Sequence, residues 1–72
     1  MDKIIEKLKE KFDNVEFAYK YDAKLQKNVI YVNNFDLYKS KRFVNIGKVL
    51  KKKFKNEKFF FVYLNFKVNV LK

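Results

Sequence analysis

The sequence predicts an α+β fold: a two-layer α-β-β-α-β chain whose three-stranded sheet has both helices on one face and ends in a long C-terminal strand. Three observations carry that reading. Apolar residues recur at helical spacing near the N-terminus and again after residue 40, two segments alternate as strands do, and the C-terminal stretch is apolar at every second position. A length of 72 residues leaves room for one domain, spanning 1–72.

Residues 2–12 form the first predicted helix. Met1, Ile4, Ile5, Leu8 and Phe12 share one face, with Lys3, Glu6, Lys7, Lys9, Glu10 and Lys11 opposite. Asp2 suits an N-cap or the first turn, and Asp13-Asn14 a stop. Val15 to Tyr21 then alternates as a half-buried strand. Asp22 to Gln26 makes a loop, and Lys27 to Val32 returns as the second strand of a hairpin. Its Val29-Ile30-Tyr31-Val32 run is apolar on both faces, which suits an enclosed position. Either strand one or strand two can be central.

A second helix starts at Asp36 or Ser40, both good N-caps. Phe43, Ile46, Gly47, Leu50 and Phe54 mark its inward face, where Gly47 costs helix stability and points to close packing on the sheet. The last strand is Phe59 to Leu71. Its first half is apolar on both faces, and with helices on one side only, Phe59, Phe61 and Tyr63 are expected on the open side.

Chemistry is narrowed by what is missing. The chain has no His and no Cys, Ser40 is its only serine, and it has no Thr. Zinc sites of the Cys/His kind, Cys nucleophiles, His bases and disulfides are thereby closed. Glu6 and Glu10 are better explained by solvated helix spacing than as a catalytic pair, and no Gly-rich phosphate loop is present. The expectation is a non-enzymatic binding protein without cofactors. With neither a leader-like apolar segment nor a membrane span, it is expected in the cytoplasm.

Charge points to a face. The net charge is +10, from 18 Lys and Arg against 8 Asp and Glu. Residues 1–14 are neutral, while 36–58 hold nine cations against Asp36 and Glu57. Lys41, Asn45, Lys48, Lys52 and Lys55 recur opposite the apolar stripe, flanked by Lys39, Arg42 and Lys51. Like charges at (i, i+4), as in Lys48/Lys52 and Lys51/Lys55, cost about 0.2–0.5 kcal/mol each. Cations near the C-terminal turn meet the helix dipole favourably, which accounts for Lys51 to Lys53 but not for Lys41, Arg42 and Lys48.

The candidate binding residues for nucleic acid or an acidic partner are therefore Lys41, Arg42, Lys48, Lys51, Lys52 and Lys55. With one Arg and no Thr, base reading is poor, so sequence-tolerant binding to RNA or DNA phosphates is expected. A lipid surface is a weaker reading, because it would compete with the core for Phe43, Ile46, Leu50 and Phe54. The alternative is a protein-binding inhibitor. The chain has the size and style of products that phages and mobile elements direct at host machines, anti-CRISPR and other anti-defence inhibitors among them, although no motif matches such a family.

The last strand suggests a second interface. Thirteen residues would extend about 44 Å, beyond partners of about 24 Å. A bare apolar edge of that length asks for a partner. Phe59, Phe61, Tyr63, Phe66, Val68 and Val70 are the candidates for a homodimer or partner interface, with closure by the protein's own loops and base stacking as alternatives.

Overall fold

The computed structural model describes residues 1–65. The elements run α1 (Asp2–Lys11), β1 (Phe17–Asp22), β2 (Lys27–Val32), α2 (Phe35–Lys39), α3 (Lys41–Lys53) and β3 (Phe59–Tyr63). The fold is α+β as predicted, with a mixed sheet in the order β1-β2-β3. β2 is the central strand: it pairs antiparallel with β1 and parallel with β3. Within its apolar run Val29, Ile30 and Val32 are buried and Tyr31 is half-buried.

The hairpin closes through Asp22, whose Oδ1 accepts the Leu25 N–H at 3.0 Å. Gln26 takes a left-handed conformation, φ 53°, to turn the chain into β2. Beyond β2 the predicted second helix is two helices. Asn34 caps α2, its Oδ1 accepting the Leu37 N–H at 2.9 Å, and Ser40 caps α3, its Oγ accepting the Phe43 N–H at 3.1 Å. Ser40 also donates from Oγ to the Leu37 carbonyl at 2.8 Å, so one hydroxyl stitches the corner between them.

The registers place Phe17, Tyr19 and Tyr21 beside Val32, Ile30 and Asn28, and these beside Tyr63, Phe61 and Phe59. This is the face the helices cover. Ile4, Leu8, Phe12, Phe17, Ile30, Val32, Phe43, Leu50 and Phe59 form one buried cluster. Phe12, Phe17 and Phe43 meet at 5.8–6.5 Å between centroids, and Phe43 packs edge-on to Phe61 at 4.7 Å. Such pairs add about 0.5–1.5 kcal/mol each beyond area burial.

Two expectations about β3 are corrected. Phe59, Phe61 and Tyr63 face the helices, not the open side; Phe59 is buried and Phe61 packs against the core. The open face of the sheet therefore does not present these three side chains. The outward residues are Phe60 and Val62, beside Val29 and Tyr31. The strand ends at Tyr63, with Leu64 and Asn65 beyond it, and the rest of the predicted span, 66–71, lies outside the described residues. The proposed interface residues Phe66, Val68 and Val70 lie outside the described residues.

Candidate nucleic-acid interface

α3 positions the cations. A helix turns once every 3.6 residues, so with Phe43, Gly47 and Leu50 buried against the sheet, Lys41, Asn45, Lys48 and Lys52 fall on the opposite face. All four are exposed. Lys41 to Lys52 spans about 16 Å along the axis at about 1.5 Å per residue. This ridge is the part of the predicted site that the structure brings into one line.

The other predicted residues take different stations. Arg42 leaves the ridge, its guanidinium 5.0 Å from the centroid of Phe12 at the end of α1. Lys51 leans to the β3 side, its Nζ 5.8 Å from the Phe59 ring. Lys55 lies in the turn after α3 and is exposed. Lys39, at the end of α2, has its Nζ 5.0 Å from the Phe35 ring.

The field of this face is uncompensated. Among the described residues, none of the α3 cations forms an ion pair. Glu57, the nearest acid beyond the helix, is turned to the N-terminal ammonium of Met1 at 3.5 Å. The first turn of α3 contains no acid but does contain Lys41 and Arg42. Cations there oppose the helix dipole by roughly 0.3–1 kcal/mol each at an exposed end. An anion on the ridge would relieve both this and the lysine–lysine repulsion.

Phe43 and Leu50 are buried and Ile46 and Phe54 half-buried against the sheet. The apolar stripe of α3 is spent on the core, and the apolar residues it leaves exposed, Val44 and Val49, lie on opposite sides of the lysine ridge. No helix among the described residues is long and apolar enough to cross a membrane.

One feature escaped the sequence reading. A groove of about 580 Å³ runs between α3 and the edge of β3, with Lys39, Lys48 and Lys51 around it. Val44, on the β3 side of the ridge, is 47% exposed and lines it, as do Phe60, Phe61 and Tyr38. Its signal in the sequence was Val44 itself, an apolar residue outside the inward stripe.

No protein-family model matches the chain, and no curated protein and no solved structure matches it either. The functional reading rests on the surface chemistry of the chain itself.

Proposed function

We propose that the protein is a non-enzymatic, sequence-tolerant nucleic-acid-binding protein that lays the outer face of α3 along a phosphate backbone. The observation that carries this reading is the exposed ridge of Lys41, Asn45, Lys48 and Lys52, without an acidic partner among the described residues. A duplex presents one phosphate per strand about every 3.4 Å, so a ridge of about 16 Å spans about five. Each Lys acts as a point charge, and binding gains its free energy from released counterions.

Composition weighs against an acidic protein surface as the ligand. Protein interfaces are enriched in Arg and depleted in Lys. Here the one Arg is engaged with Phe12, and the ridge itself is lysine.

The test is titration with short single- and double-stranded oligonucleotides at two salt concentrations. Neutralising about three phosphates, one for each ridge lysine, gives a log–log salt slope near about −3 on duplex. Reversing Lys41, Lys48 and Lys52 to Glu should abolish binding. Absence of binding at about 50 mM salt would overturn the reading, since phosphate contacts are strongest there. Binding that survives the triple reversal would place the interface on another face.

A further inference from the structure

The ridge borders the groove. Lys48 belongs to both, and Lys39 and Lys51 continue the cations around the opening. Within, the lining is apolar and aromatic: Tyr38 is half-buried, Phe61 lies deeper against Gly47, and Phe60, whose side chain belongs to the other face of the sheet, borders the groove at the strand edge. The missing side chain at Gly47 is what lets helix and strand close there, since a Cβ would stand 2.9 Å from Phe61 Cε2. A volume of about 580 Å³ falls within the range of ligand pockets.

We propose that this groove receives an unpaired base of a single-stranded nucleic acid whose phosphates follow the lysine ridge. The proposal rests on the nucleic-acid reading of the ridge and goes further, naming the strand state of the ligand. A base has a flat apolar face and carries a phosphate with it. The groove offers aromatic lining beside three cations, so each half of a nucleotide meets its complement. Apart from the Tyr38 hydroxyl and the lysines, the lining holds no polar side chain to read a base edge. Stacking without sequence preference follows. A duplex would first have to unpair and unstack the base, at a cost of a few kcal/mol.

Charge disfavours the other occupants. A second copy pairing along the β3 edge would bring two sets of Lys39, Lys48 and Lys51 together. The chain's own residues 66–72 carry Lys67 and Lys72 and no acid, the same sign as the rim.

The experiment compares three labelled oligonucleotides of about eight nucleotides by fluorescence anisotropy: oligo-dT, an abasic strand with the same phosphates, and a duplex. The expected result is oligo-dT binding at least about fivefold more tightly than the abasic strand, the lower bound for one stacked base. Tyr38→Leu, which keeps apolar volume but removes the ring, should bring oligo-dT down to the abasic level and leave the abasic affinity unchanged. Tyr38→Phe, which keeps the ring, should retain the preference. Equal binding of oligo-dT and abasic strand, with the ridge lysines still required, would overturn the base site and leave the ridge standing. No binding of any strand would overturn both. An unchanged preference in Tyr38→Leu would place the base elsewhere and also refute the proposal. So would amide shifts at Val44 and Phe60 produced by an alternating Val-Glu peptide but not by oligo-dT, which would assign the groove to a protein strand.

Discussion

Replacing Ser40 by alanine removes two hydrogen bonds with one atom. The hydroxyl accepts from the Phe43 N–H at the start of α3 and donates to the Leu37 carbonyl in α2. Loss of the cap costs about 1 kcal/mol. Loss of the donor costs about 0.5 kcal/mol more, because the Leu37 carbonyl still accepts the Ser40 backbone N–H at 2.9 Å. A domain of this size loses about 4–8 °C of Tm per kcal/mol, so Ser40→Ala should melt about 6–12 °C lower. Ser40→Asp separates the two bonds. It keeps an acceptor for Phe43 and adds a favourable charge at the helix start, losing only the bond to Leu37, so its shift should be less than about half as large. Thermal unfolding followed by far-ultraviolet circular dichroism reads both variants. A shift below about 2 °C for Ser40→Ala, or equal shifts for the two variants, would refute the stitched-corner account.

Two further outcomes follow from single contacts. The Tyr19 hydroxyl donates to Asp2 Oδ1 at 2.8 Å, and this bond together with the carboxylate's charge holds its pKa above the ordinary 10.0. The stabilisation is present in full below pH about 10 and is lost as pH rises through the raised value. Asp2→Asn should lower the Tyr19 pKa in a phenolate absorbance titration; an unchanged titration would show that the bond does not form in solution. Gly47→Ala sets a helix-propensity gain of about 1 kcal/mol against overpacking of about 1–3 kcal/mol on Phe61, which Phe43 and Phe59 flank. A net loss of about 1 kcal/mol in urea unfolding is expected, and a more stable variant would show that the Phe61 ring yields freely.

How far the fold was legible in the sequence depends on whether a segment had two distinct faces. α1 did: Ile4, Leu8 and Phe12 against Lys3, Lys7 and Glu10 leave one way to pack it, and all three apolar residues are buried. α3 did too, and Gly47 announced its close approach to the sheet. β3 did not. Phe59 to Tyr63 is apolar at every position, so periodicity has nothing to choose between, and β2 beside it is equally ambiguous at Val29 to Val32. Pairing of Ile30 with Phe61 decides the matter, and that is a tertiary contact. The helix corner failed for a different reason. Asp36 and Ser40 read as alternative starts of one helix, whereas Asn34 caps α2 with Asp36 in its first turn and Ser40 caps α3, and nothing local says that a chain starts two helices there. Of the candidate site, the ridge was visible because charge and helical period coincide in Lys41, Lys48 and Lys52. The groove was not, because Tyr38, Val44 and Phe60 come from three elements with no common spacing.

The position of β3 has a colloidal consequence. Among the described residues it is an edge strand, and exposed edges invite sheet-to-sheet growth unless charge holds copies apart. Lys39, Lys48 and Lys51 stand beside that edge and supply the repulsion. A polyanion that neutralises them also removes the guard. Mixtures near charge balance should therefore turn cloudy, while excess of either component keeps them clear. Under the proposed binding, solubility and occupancy of the groove rest on the same three lysines.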